Sequence, residues 1–313
     1  RKKTAGRETA GGYPEVMTRK DAARRDAWYG AYITSILQRD VRDISNITGL
    51  TDLPRLLSAL ALRSSGLLNM ADLSIRLAAL GEQRPYLVGA IAMLFLTSFG
   101  MKAAIFPLFF WLPASYATPP AAISAIFAGL MTKVGVYALI RLFTLILPTT
   151  SYGYTLLLIL GVLSMVIGVL GAVSQYEFRR VLAFHSISQV GYMVLGLGLL
   201  VAPDPQVRTL ALAAALVYMI HHSLVKGNLF LISGVVGSLS GTCQLKQLGG
   251  FVRSAPFLPA LFLISALSPA GLPPLSGFWA KLAIVKAGLD AGQFIATTAA
   301  LATGLLTLIS MIK

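Results

Sequence analysis

Acidic residues are scarce in this chain. Of its 313 residues 12 are Asp or Glu, against 26 Lys or Arg and 3 His, and the formal net charge at pH 7 is +14. One cysteine, Cys243, excludes an internal disulfide framework and any four-cysteine metal or iron–sulfur cluster. No Gly-rich loop ending in Gly-Lys-Ser/Thr occurs, which excludes a phosphate-cradling nucleotide site of that kind. Nor does the sequence carry a signal-peptide pattern. Charged residues are 12% of the total, where an ordinary soluble globule has roughly 25%. What fills their place is apolar: 56% of residues are hydrophobic and the mean hydropathy is +0.75. A water-soluble chain of this length cannot hide so much apolar surface, so the excess faces lipid.

The charge divides unevenly. Residues 1–84 hold 14 of the basic residues and 9 of the acids. Residues 85–313 hold 12 basic residues and three acids, Glu177, Asp204 and Asp290. Two compositions predict two separately solvated parts, a soluble, basic, helical segment over 1–84 and a membrane region over 85–313. Single basic residues scattered among apolar runs form no stripe for nucleic acid. Bilayer headgroups suit them better, at about 1 kcal/mol per basic residue near an anionic surface.

In the soluble segment, Arg1 to Gly12 has no apolar period and is expected to be disordered. From Asp21 to about Ile44, Ala27, Trp28, Ala31, Tyr32, Ser35 and Ile36 recur at helical spacing, with Asp21 placed to cap the start. Gly49 and Pro54 mark a break. Two short helices then follow over 53–62 and 72–80, around a Ser64-Ser65-Gly66 turn. The run GGYPEVMTRKDAARRDAWYGAYITSILQRDVRDISNI (11–47) resembles the accessory region that follows the ATPase core in a family of predicted prokaryotic AAA-type ATPases. The resemblance reaches to about residue 70. It implies a foreign fragment without ATPase activity, since the nucleotide-binding part is missing.

From Tyr86 onward, apolar runs of membrane-spanning length recur at about 86–110, 120–142, 153–173, 182–201, 209–237, 256–286 and 290–312. The fold class read from them is all-α, a polytopic membrane helix bundle of about seven spans. Basic residues in the loops at Arg179-Arg180 and at Lys246 and Arg253 place both loops on one side, the cytoplasmic one by the positive-inside tendency. Prolines interrupt the first and sixth runs: Pro107 one turn beyond Lys102, and Pro269, Pro273 and Pro274 before Lys281. Each removes an intrahelical hydrogen bond, and freed carbonyls inside a bundle need a cavity or a polar partner.

The informative residues are the ionisable ones inside these runs: Lys102, Lys133, Lys226 with His221 and His222 just before it, and Lys281. A basic residue at mid-membrane costs roughly 2.5–3.5 kcal/mol on an insertion scale, so four facing lipid would cost roughly 10 kcal/mol or more. Snorkelling can rescue residues near a helix end. Lys133 falls near the middle of its run and is expected to face a hydrated or polar interior. A lysine amine has a pKa of about 10.4 in water, burial lowers it, and histidine already titrates near neutrality. Several such groups in series make a proton path. His222 and Lys226 share a helix face at i,i+4, while His221 points elsewhere. Glu177 reads chiefly as a loop-end charge beside Arg179 and Arg180.

Four separated blocks carry a second resemblance: MKAAIFPLFFWLPASYATPPAAISAIFAGLMTKVGVYALIRLF, RRVLAFHSISQVGYMVLGLGL, HHSLVKGNLFLISG and GLPPLSGFWAKL. Together they resemble the antiporter-like proton-pumping subunits of respiratory complex I, and most of all the D-type subunits of the multisubunit Mrp-type Na+/H+ antiporters, over residues 67–313. The resemblance implies a proton-translocating subunit in which protons move laterally through Lys102, Lys133, His222, Lys226 and Lys281. His185, His221 and Glu177 are possible supporting groups, and the helices break at Pro107, Pro269, Pro273 and Pro274. It implies sodium efflux driven by proton inflow in the Mrp-like case, quinone-coupled pumping by a translocase in the complex-I-like case, and otherwise an inactive piece with an assembly role. Implied partners are other membrane subunits, the bilayer, protons and Na+. No cofactor, metal or nucleic acid is expected, and the location is the cytoplasmic membrane, multi-pass. A full family member has fourteen helices built around two inverted repeats, with a glutamate on the fifth helix paired to the seventh-helix lysine. Here the first six helices are absent, LLNMADL (67–73) fits a crossover point, and Lys313 follows directly on an apolar run. The expectation is a chimeric or fragmentary chain that does not pump alone.

Overall fold

Helices in this all-α chain start and stop at the Asp, Pro and Gly residues that punctuate its apolar runs. The computed structural model describes residues 21, 23, 24, 27, 28, 31, 70–83, 85–147 and 151–313. The chain divides into two units, residues 1–69 and 70–313. In the first, Ala23, Arg24, Ala27, Trp28 and Ala31 are helical, and the Asp21 carboxylate accepts a hydrogen bond from the Ala23 N–H at 3.1 Å. This is an N-cap. The polar opening, the break at Gly49 and Pro54, the helix over 53–62 and the Ser64-Ser65-Gly66 turn lie outside the described residues.

The second unit opens with α1 (Met70–Gln83) and α2 (Pro85–Ala103). The run expected over 86–110 is not one helix. It ends at Ala103, because Ala104 takes a left-handed conformation (φ 59°) and Pro107 has no N–H to continue the ladder. The carbonyl of Met101 at this end accepts from the Ala104 N–H at 3.1 Å and from the Trp111 indole N–H at 2.9 Å, and the Phe106 N–H donates to Ser164 Oγ at 2.8 Å. After α3 (Leu112–Ala117), α4 (Ala121–Ile126) and α5 (Thr132–Arg141) are joined through a π turn at Phe127–Met131 into one span, Ala121–Ile146.

Next come α6 (Ser151–Ser174) and α7 (Phe178–Gly198), packed along their length. Their backbones meet at Gly168, where a Cβ would lie 2.4 Å from the Ser188 nitrogen. From His185 to Gly198 every residue of α7 is buried. It is the central helix, buried on all sides, and His185, Ser186, Ser188 and Gln189 stand among its buried apolar residues. Helix α8 (Pro205–Ser240) is capped by Asp204, whose carboxylate accepts from the Gln206 N–H at 2.8 Å, and is ended by Gly241 at φ 70°. Along it Val217, Ile220, Leu224, Leu231, Val235 and Leu239 form an exposed apolar face, while Tyr218, His222, Lys226, Leu229 and Ser233 form the buried one.

The expected sixth run, 256–286, also divides. A short α9 (Phe251–Ser254) precedes α10 (Phe257–Ala270), which contains Pro269 one residue before its end. Gly271 (φ 90°), Pro273 and Pro274 then hold the chain out of helix until α11 (Ser276–Asp290), and α12 (Phe294–Ile312) closes the described chain. Among the described residues five helices are long and apolar enough to cross a bilayer: Ala121–Ile146, Tyr152–Ser174, Phe178–Val201, Pro205–Ser240 and Phe294–Ile312. The apolar pieces Val88–Ala103 and Phe257–Ala270 are shorter. Helices α7, α8, α11 and α12 pack on one another around the polar interior described next.

Candidate functional site

The buried face of α8 carries Tyr218, His222 and Lys226 at successive turns. Lys226 is fully buried, and its amine donates to the Leu182 carbonyl of α7 at 2.8 Å. His222, one turn earlier, is also fully buried and neither ring nitrogen has a hydrogen-bond partner. Its ring lies nearly parallel to that of Tyr218, 6.3 Å away between centroids.

Lys133 reaches this group from the middle of the Ala121–Ile146 span. It is buried, and its amine donates to the Ala128 carbonyl inside the π turn, where the wider helical winding presents a carbonyl five residues back. Lys281 approaches from the other side, on α11 just past the Gly271–Leu275 break. It is buried, and its amine lacks a hydrogen-bond partner. That amine lies 4.1 Å from the centre of the Tyr192 ring and 5.9 Å from that of Tyr218. A cavity of about 280 Å³ opens beside it, lined among others by Gly271, Phe278, Ala300 and Gly304. His221 points away from Lys226, as its place on α8 requires, but not away from the site. Its Nδ1 pairs with Ser276 Oγ at the start of α11, 2.9 Å away, and Gly277 lies against its Nε2.

These groups form one cluster. His222 is within electrostatic range of Lys133, Lys226, His221 and Lys281, and Lys226 is within range of Lys133. Among the described residues no carboxylate enters it: Glu177, Asp204 and Asp290 all sit at helix ends. A proton on one member therefore repels a proton on the next, with no acid among the described residues beside them to offset it.

Two of the sequence-selected residues stand elsewhere. Lys102, in the last turn of α2, is exposed. Its backbone touches the site's elements, since a Cβ on Gly135 would lie 2.9 Å from the Lys102 carbonyl carbon, but its side chain is not buried with Lys133. Glu177 caps α7, accepting from the N–H groups of Arg179 (3.1 Å) and Arg180 (2.7 Å). His185 lies in the interior, fully buried, with Nε2 paired to Ser310 Oγ and Nδ1 without a partner. It is within electrostatic range of Lys226 and Lys281.

The reading from sequence passed over Tyr192, Tyr218, Gln189, Ser276, Thr307 and Ser310. Tyr218 donates to Gln189 Oε1, Gln189 Nε2 donates to Thr307 Oγ1 at 3.4 Å, and Tyr192 donates to the Ala300 carbonyl. The available signal was spacing: His185, Gln189 and Tyr192 on α7, and Thr303, Thr307 and Ser310 on α12, recur every three or four residues in otherwise apolar helices.

Comparison with known proteins shows the family. The family described as "NADH:quinone oxidoreductase/Mrp antiporter, TM" matches residues 44–307. The chain belongs to this family. The match begins upstream of Leu67, within the segment read above as soluble. As a member, the chain is a multi-pass membrane protein. It is 49% identical over 250 residues to the D-type subunit of the Na(+)/H(+) antiporter of Alkalihalophilus pseudofirmus, covering 80% of this chain and 49% of that protein. Among solved structures it resembles a chain of the Mrp complex from Dietzia sp. DQ12-45-1b, with TM-score 0.71 and 36% identity over 81% of this chain and 45% of that one. It also resembles a chain of the membrane-bound sulfane sulfur reductase, an archaeal respiratory membrane complex, with TM-score 0.71 and 26% identity over 79% and 49% of the two chains. The chain thus spans about half the length of the curated relatives it matches.

Proposed function

We propose that this chain supplies the buried proton-exchanging groups of a multisubunit Na+/H+ antiporter of the Mrp type, within the cytoplasmic membrane. Protons pass laterally along Lys133, His222, Lys226 and Lys281, with His221 beside Lys281, and their inflow drives sodium efflux. The observation that carries this reading is the contiguous group of buried amines and imidazoles, with no carboxylate beside them among the described residues. Their unpartnered nitrogens at His222, His221 and Lys281 call for ordered water, since buried polar atoms are rarely left unsatisfied. Lys102, exposed at the end of α2, is the outer member of the row, open to a neighbouring helix or subunit. The short pieces α2 and α10–α11 complete seven crossings, broken where Pro107, Pro273 and Pro274 interrupt them, as in ion-coupled transporters.

The test is proton flux in proteoliposomes. The chain is reconstituted alone and with the remaining subunits of an Mrp antiporter, a pH gradient is imposed, and a pH-sensitive dye reports its sodium-dependent collapse. Collapse that is lost on Lys133→Met, Lys226→Met and Lys281→Met supports the reading. Collapse that all three variants retain refutes it.

A further inference from the structure

Away from the proton row, three helix ends meet around Arg179: the start of α4, the start of α7 and the last turns of α8. The guanidinium Nη1 donates to the Pro119 carbonyl at 3.0 Å, and the Nε–H is shut inside without a hydrogen-bond partner. Two cavities adjoin here and share Arg179, Gly234 and Ser238 in their walls. Ala117 lines one and Ala121 the other, so a guanidinium held on Pro119 stands at their junction.

The two cavities differ in character. The first, about 300 Å³, is polar and takes in Glu177 and Thr242 at the end of α8. The second, about 430 Å³, runs along α8 past Leu231, Val235 and Leu239, all exposed on the apolar face of that helix. Charge in the first is also divided. Glu177 and Arg179 both line it, yet their side chains do not pair: the carboxylate accepts from the backbone N–H groups of Arg179 and Arg180, while the guanidinium reaches Pro119. A carboxylate has about four lone-pair sites and a guanidinium five N–H donors, so both keep capacity for a ligand.

We propose that these cavities hold one phospholipid with a zwitterionic, amine-bearing headgroup, a phosphatidylethanolamine. Its phosphate lies on the Arg179 guanidinium, whose planar fork suits two phosphate oxygens. Its ammonium lies on Glu177, beside the C-terminal end of α8, where the helix dipole favours a cation. An acyl chain follows Leu231, Val235 and Leu239. The apolar flank selects a lipid over a free zwitterion, because a ligand without a tail leaves that face uncovered. The carboxylate selects against a purely anionic headgroup, which satisfies the arginine but sets like charge against Glu177.

The experiment reads lipid retention and needs no transport. The chain is reconstituted in vesicles of equal phosphatidylethanolamine and phosphatidylglycerol with identical acyl chains. It is then extracted in mild detergent, and native mass spectrometry counts the lipids that stay bound. A single phosphatidylethanolamine is expected to stay, favoured over phosphatidylglycerol by about tenfold or more, as charge-assisted hydrogen bonds imply. Arg179→Gln lowers retention of both lipids by about tenfold, and Glu177→Gln brings the two to parity. Ser238→Trp, at an exposed position of α8, fills the shared wall and lowers retention with both charges in place. It decides the matter if Arg179→Gln does not fold. Equal retention of the two lipids by the native chain overturns the zwitterion site. No bound lipid, or retention unchanged in Ser238→Trp, overturns the pocket itself.

Discussion

The Lys281 amine sits 4.1 Å over the centre of the Tyr192 ring and makes no hydrogen bond. The ring face thus stands where a carboxylate would be expected beside a buried amine. An aromatic face attracts a cation by about 2 kcal/mol when desolvated and makes no demand on the neutral amine. Tyr192→Phe keeps the face and loses only the bond to Ala300, so flux is expected to stay within about threefold of wild type. Tyr192→Leu removes the face and is expected to lower flux more than tenfold, about 1.4 kcal/mol or more, read in the same dye assay.

Lys226→Met is expected to separate stability from function. Removing a buried amine also removes its desolvation cost, and replacing buried charge by apolar groups of similar volume is neutral or stabilising by about 1–4 kcal/mol. The Leu182 carbonyl keeps a partner in Ser186 Oγ at 3.1 Å. Thermal unfolding in detergent should therefore occur at the same or a higher temperature while flux is lost.

Gly168→Val should destabilise the bundle by about 1–3 kcal/mol, because its Cβ has only 2.4 Å before the Ser188 nitrogen. Gly89→Ala, with nothing within 4 Å, should be neutral or stabilise by about 0.5–1 kcal/mol. The difference between the two melting temperatures is the measurement.

Gly271→Ala is expected to cost about 1–2 kcal/mol, since φ 90° disfavours any Cβ, and to press on the Lys281 Cδ at 3.1 Å. Flux should fall along with stability, unlike in Gly168→Val variants of matched stability.

Glu177→Gln distinguishes a cap from a carrier. The neutral amide still accepts from the first turn of α7, so a loss of about 1 kcal/mol or less is expected in thermal unfolding, with flux within about twofold of wild type.

Much of the site was legible because charge in a membrane is expensive. Lys133, His222, Lys226 and Lys281 each stand out within an apolar run, and all four come together in the interior. Lys102 looked the same in sequence but is exposed, for a lysine near a helix end pays little for its position. Hydropathy could not separate α2 from the turn after it, or α10 from α11, because the residues out of helix are as apolar as those within. The prolines marked those places and the backbone at Ala104 and Gly271 set the boundaries. The hydroxyls and amide of the α7–α12 seam were hidden for the opposite reason. Ser, Thr, Tyr and Gln are tolerated in buried helices, so single instances carry little information, and only their opposition across two helices distinguishes them.

The length of α8 has a mechanical consequence. Thirty-six residues make a rod about 54 Å long, whereas the hydrocarbon layer is about 30 Å thick. Tilts rarely exceed about 40°, so leaning cannot absorb the surplus, and the rod must project through the headgroups on at least one side. His222 and Lys226 lie close to its midpoint. One continuous rod thus joins the aqueous phase to the buried His222 and Lys226 near its centre.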